Sequence, residues 1–103
     1  WIDGGVDALA PDDPGLKIPH MGWNTVAINK ETSISLSIDP DSRYYFVHSY
    51  YVSCTNDEDI MMESYYGKKF VSGLHRDNIF GVQFHPEKSH KFGYGLLKGF
   101  CEL

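Results

Sequence analysis

The run Ile79-Phe80-Gly81-Val82-Gln83-Phe84 leads directly into His85-Pro86-Glu87, and a segment of helical character begins at once behind it. The first part is apolar and β-favouring, and the proline stops it. Phe92, Leu96, Leu97 and Phe100 then recur at helical spacing, so the C-terminus reads as an amphipathic helix. A strand that ends in a turn and hands over to a helix points to an α/β fold. It also delivers a histidine and a carboxylate to the carboxyl end of a strand, where open α/β sheets place their chemistry.

The rest of the chain predicts many short strands. Arg43 to His48 is the strongest, and Tyr50 to Thr55 reads as another, joined to it near Ser49. Residues 6–9 alternate and suggest a short strand. Thr25 to Asn29 is β-like, and Ile34, Leu36 and Ile38 alternate with serines as a half-buried strand would. Ile60 to Tyr66 and Lys69 to Leu74 predict a hairpin around Tyr66-Gly67-Lys68, with Gly67 at positive φ. Pro11 to Gly15, Asp39 to Ser42 and His75 to Asn78 read as turns, and Asn56 to Asp59 as an acidic loop. Pro19 to Asn24 shows no periodicity, and Gly22 within it suggests a close backbone approach. The expected architecture is a mixed or antiparallel sheet with a C-terminal helix, in one domain.

In a strand or turn, residues i and i+2 point the same way. Glu87 can then accept a hydrogen bond from one imidazole nitrogen of His85 and leave the other as a general base. The structural alternative is a plain turn with Glu87 placed favourably near a helix N-terminus. A base with its orienter implies a nucleophile, and the chain offers no convincing one. Cys54 lies in a strand and Cys101 on the helix, neither in a sharp strand-to-helix turn, so both read as packing residues. No GxSxG is present. Zinc is not expected, because no two of His20, His48, His75, His85 and His90 share a recognised ligand spacing. No cofactor is implied.

A net charge of −5 over 103 residues, without a dense basic run, argues against a nucleic-acid or anionic-membrane surface. Aromatic residues make up 15%, which favours sheet over helical bundle. Two cysteines without CxxC spacing and no long apolar run set the expectation of a reducing, cytoplasmic setting. The opening Trp1-Ile2-Asp3-Gly4-Gly5 reads as the interior of a domain, so a piece of a larger domain is expected.

Taken together, these segments closely resemble class I (triad-type) glutamine amidotransferases, and among them the glutaminase subunits of imidazole glycerol phosphate synthase in histidine biosynthesis. Gly81-Val82-Gln83-Phe84-His85-Pro86-Glu87 is similar to the histidine–glutamate block of the superfamily. Pro19-His20-Met21-Gly22-Trp23-Asn24 is more specific to the glutaminase subunit, and Phe46-Val47-His48-Ser49-Tyr50 and Glu87-Lys88-Ser89 agree with it. The resemblance implies a flavodoxin-like α/β domain, of which residues 1–103 form the C-terminal half. It implies His85 as general base and Glu87 as its orienter. His48, Ser49 and Tyr50 would lie along the glutamine pocket, largely through backbone contacts. Trp23, Asn24, Tyr45 and Lys88 would face a (β/α)₈-barrel cyclase. The Gly-x-Cys-x-Gly-x-Gln nucleophile elbow of the family has no counterpart in these residues. The chain by itself is therefore expected to lack glutaminase activity, its partners being glutamine, the cyclase and the N-terminal half of its own domain. The competing expectations are another class I amidotransferase with a different acceptor, and a non-catalytic binding module of the same fold.

Overall fold

A computed structural model describes residues 2–10, 15–32, 34, 35, 38 and 41–102. Eight strands and one helix follow in the order β1 (Gly4–Ala8), β2 (His20–Thr25), β3 (Ala27–Ile28), β4 (Arg43–His48), β5 (Tyr50–Cys54), β6 (Ile60–Tyr65), β7 (Lys69–Arg76), β8 (Ile79–Val82) and α1 (His90–Cys101). Every strand pair among the described residues is antiparallel. β1 pairs with β5, β2 with β4, and the third sheet runs β3-β6-β7-β8. Antiparallel strands with a C-terminal helix are the arrangement expected from the sequence.

β4 organises the molecule. Its Tyr44, Phe46 and His48 are buried, while Tyr45 and Val47 on the alternate face are only half-buried. Tyr44 stacks on Phe84 with ring centroids 4.1 Å apart, and Phe46 meets both Phe84 and Phe70 edge to face. Ile34, Met61, Met62 and Leu96 complete this core. The two methionines are adjacent in sequence yet both fully buried. A strict period of two would turn one of them outward, but the register of β6 against β7 shifts on either side of Met62 and lets both point inward. Helix α1 contains Gly93, Gly95 and Gly99, each costing about 1 kcal/mol against alanine in a helix interior. Its stability therefore comes from docking Leu96 into the core, with Phe92 packed against it.

Several expectations are corrected. Tyr50–Cys54 does not form a hairpin with β4; the chain turns a corner at Ser49 and joins β1 instead. Pro19 to Asn24 is not irregular, since His20 to Asn24 belong to β2, where pairing with β4 overrides a sequence of weak alternation. The β-like stretch from Thr25 to Asn29 breaks at Val26 between β2 and β3. Ile34 and Ser35 lie in a turn rather than a strand, and the remainder of the proposed 33–38 strand, apart from Ile38, falls outside the described residues. Serine chemistry explains that turn: Ser35 Oγ accepts from the Thr32 N–H at 2.6 Å and donates to the Lys30 carbonyl, offering the backbone an alternative to a ladder. His75 and Arg76 continue β7, and the turn is the two residues Asp77 and Asn78, with Asp77 at φ 55°. β8 is half-buried and ends at Val82, two residues earlier than expected. Gly22 makes no close approach, because a side chain there would meet nothing within 4 Å; its φ of 137° is what demands glycine. Cys101 is exposed and does not pack. The Gly67 turn is as expected, at φ 70° between the paired Tyr65 and Lys69. The Pro11 to Pro14 part of the first turn and Asp39-Pro40 of the second lie outside the described residues.

Candidate active site

His85 stands on the far side of β4 from β2. Its N–H donates to the Tyr45 carbonyl at 2.9 Å, forming an isolated antiparallel bridge. That register sends Phe84 inward against Tyr44 and turns His85 to the side of the sheet that carries Tyr45. Pro86–Lys88 form a single 3-10 turn, and this turn brings Glu87 back beneath the imidazole. The His85 Nδ1–H donates to Glu87 Oε1 at 2.8 Å. The tautomer follows from the bond, since a carboxylate only accepts. Nε2 is then the basic nitrogen, and among the described residues it has no partner. Side-chain exposures of 39% for His85 and 58% for Glu87 leave the pair open to an incoming group.

Ser89 holds this turn. A serine directly before a helix reads as an N-cap, yet its hydroxyl caps nothing. It is fully buried, accepts from the Tyr45 N–H at 2.9 Å and donates to the His85 carbonyl at 2.7 Å. Both backbone groups of Tyr45 thus bind the segment that carries His85. Ser89→Ala is expected to strand the Tyr45 N–H, and to leave the His85 carbonyl with only its bond from the Lys88 N–H, destabilising the protein by about 1–3 kcal/mol. Denaturant melts check this, and the imidazole should lose its fixed geometry with it. The close approach comes from Gly93: an ideal Cβ on it would stand 1.8 Å from the Pro86 carbonyl oxygen. Neither residue was singled out by sequence reading; the serine beside His-Pro-Glu was the only available signal.

The other expected site residues are only partly brought together. Trp23 and Tyr45 are cross-strand neighbours on the same face, their rings edge to face at 5.9 Å. Trp23 also stacks on His90 at 5.7 Å, and His90 opens the helix at φ 51°. Lys88 is exposed, two residues before His90 in the chain. Asn24 lies on the opposite face of β2 and its amide is used internally, donating to the Tyr65 carbonyl and accepting from the Thr25 N–H, both at 2.8 Å. At the end of β4, Ser49 and Tyr50 form the corner into β5, with Tyr50 exposed. The His48 ring points into the core, so any contact it makes with a small ligand runs through its backbone.

Two buried histidines lie beneath that corner. His48 Nδ1–H donates to the Tyr50 carbonyl at 2.9 Å, which leaves its Nε2 to accept from His20 Nδ1–H, also at 2.9 Å. Burial first, and then the neighbouring His48, lower the His20 pKa to about 4. Burial lowers that of His48 too, against the opposing bond to the Tyr50 carbonyl. The unfolded chain protonates these residues near pH 6.5. Between there and about pH 4 the unfolded state therefore binds more protons than the folded one. Stability is full above pH 6.5 and falls on acidification through this window, by about 3 kcal/mol for His20. Urea midpoints at pH 7 and pH 4.5 should show the loss, and His20→Phe should flatten it.

Neither cysteine is a plausible partner for His85. Burial and then the Asp59 and Asp57 carboxylates push the Cys54 thiol up, with Lys30 pulling weakly against them. Cys101 sits at the far end of α1.

The family model for class-I glutamine amidotransferases matches residues 10–101. The chain belongs to the class I glutamine amidotransferase family. Among curated proteins, this amidotransferase chain is similar to imidazole glycerol phosphate synthase subunit HisH 2 of Pseudomonas aeruginosa, 54% identical over 87 residues that cover 84% of this chain and 43% of that one. The subunit HisH 2 of Methanococcus maripaludis is 52% identical over 86 residues, covering 84% and 43%. The subunit HisH of Leptospira interrogans is 42% identical over 105 residues, covering 100% and 52%. The chain spans about half the length of the curated relatives it matches. Among the described residues no helix is long and apolar enough to cross a membrane.

Proposed function

We propose that this chain supplies the general base and orienting carboxylate for glutamine hydrolysis in the glutaminase subunit of an imidazole glycerol phosphate synthase. The observation that carries the reading is the 2.8 Å bond from His85 Nδ1 to Glu87, which leaves Nε2 open and, among the described residues, unpartnered. The similarity to HisH subunits supports the choice among amidotransferases.

In this reading, residues 1–103 are the C-terminal half of the domain. A cysteine and the oxyanion donors come from a further segment of the same domain. His85 Nε2 takes the thiol proton as the thiolate attacks the glutamine carboxamide, and returns it to the departing nitrogen. Ammonia leaves and a glutamyl thioester remains. Water, deprotonated by the same nitrogen, then releases glutamate and restores the thiol. Glu87 keeps the imidazole in the correct tautomer and stabilises the imidazolium that forms at each step. Glutamine lies along the face of His85 towards His48, Ser49 and Tyr50. Trp23, Tyr45 and Lys88 meet a (β/α)₈-barrel cyclase that receives the ammonia. Asn24 contributes by bracing β2, its amide being engaged within the chain. A thiolate nucleophile suits the reducing cytoplasm.

The test is glutamate release by the protein that carries this chain, with and without a barrel cyclase that co-purifies with it. Turnover that is abolished by thiol alkylation and stimulated by the cyclase is expected. No glutamate release in the presence of the cyclase would refute the proposal.

A further inference from the structure

We propose that His20 is a positioning residue for glutamine binding, acting through His48 to hold the Ser49–Tyr50 corner. The inference rests on the function proposed above and assigns a task to a residue outside the expected site.

The geometry is a buried relay of fixed polarity. His48 reaches over the corner and ties its Nδ1–H to the Tyr50 carbonyl two residues on. A lone histidine ring can flip and present the wrong nitrogen. Here it is prevented, because Nε2 is occupied by the Nδ1–H of His20 from the neighbouring strand. His20 is itself clamped, stacked between Phe46 at 4.9 Å and Tyr66 at 4.0 Å, with Phe70 edge-on. It is 3% exposed and His48 7%, so neither ring is available to solvent. On its other side the corner is tied by the Leu9 N–H to the Ser49 carbonyl at 2.8 Å. With both carbonyls engaged, the Ser49 hydroxyl is left without a partner among the described residues. Ser49 directly follows the end of β4, the strand whose Tyr45 bridges His85. Three to four strand residues, roughly 10–13 Å, separate the two, enough for an extended amino acid between them.

The relay works only with both rings neutral. A proton on His48 Nε2 would set donor against donor and release His20. The groups that face the pair are the Phe46, Phe70 and Tyr66 rings and the Tyr50 carbonyl; Tyr66 is the one titratable group among them, its hydroxyl donating to the Lys17 carbonyl. No carboxylate or ammonium among the described residues acts on the pair, and the lowered proton affinity of both rings keeps the relay intact at neutral pH.

The test uses the glutamine-hydrolysing holoenzyme. His20→Phe keeps a flat ring between Phe46 and Tyr66 but has no donor; His20→Asn restores an N–H at the position of Nδ1. The first is expected to raise the KM for glutamine about five- to tenfold with kcat within about twofold of wild type, a loss the size of one hydrogen bond. The second should recover most of that loss. A KM unchanged in His20→Phe, or a fall in kcat at constant KM, overturns the inference, as does a KM raised equally in both variants. If wild type hydrolyses no glutamine at all, the proposed function fails and this inference falls with it. Wild-type turnover with indifferent His20 variants defeats the inference alone.

Discussion

Replacing His85 by alanine is expected to lower glutamine turnover by about three orders of magnitude or more and leave the fold standing. The side chain is partly exposed and, among the described residues, bonds only to Glu87, while the contacts that seat residue 85 are made by its backbone N–H and carbonyl. Alanine keeps those. Glu87→Gln is expected to be milder, about ten- to a hundredfold. Its amide oxygen still accepts from Nδ1, but the negative charge that stabilises the imidazolium is gone. Single-turnover thioester formation in the holoenzyme, read beside thermal melts, separates chemistry from folding. Turnover of His85→Ala within tenfold of wild type would rule out the base assignment.

The second large effect comes from a residue with no chemistry of its own. Gly93→Ala would drive a methyl group onto the Pro86 carbonyl, 1.8 Å from its oxygen and 3.0 Å from its Cα. Those are backbone atoms and cannot rotate aside, so the helix must retreat from the turn that carries His85 and Glu87. A cost of about 3 kcal/mol is expected, a fall in Tm on the order of 10 °C for the whole domain, together with loss of turnover. Gly95→Ala provides the internal comparison, because nothing lies within 4 Å of the methyl position there. It should stabilise the same helix by up to about 1 kcal/mol. If Gly93→Ala melts with wild type, the packing of α1 on Pro86 is not as described.

The elements read best from sequence were those with strong local patterns. β4 alternates large residues inward and outward, and α1 spaces Phe92, Leu96, Leu97 and Phe100 along one side; both formed where expected. The pairing of His85 with Glu87 was also legible, because two residues of separation across a proline suffice to bring them together. Partners were not. β5 was expected beside β4 from proximity in sequence, yet it pairs with β1, and the alternating serines after Ser33 concealed a turn held by their own hydroxyls. Asn24 was grouped with Trp23 on a likeness to relatives, whereas the strand period places them on opposite faces.

Chemistry and local shape are written in neighbouring residues: a histidine and a glutamate at a strand-to-helix turn, and the inward and outward series of the strands. These depend on residues within a few positions of one another. What holds them in place emerges only on folding: Ser89 bonded to Tyr45 across 44 residues, His20 bonded to His48 across 28, and Gly93 pressed against Pro86. Contacts of that kind leave no periodic trace, because a serine, a histidine or a glycine is compatible with many settings. Only the closing of the intervening loops and the burial of their polar atoms select one.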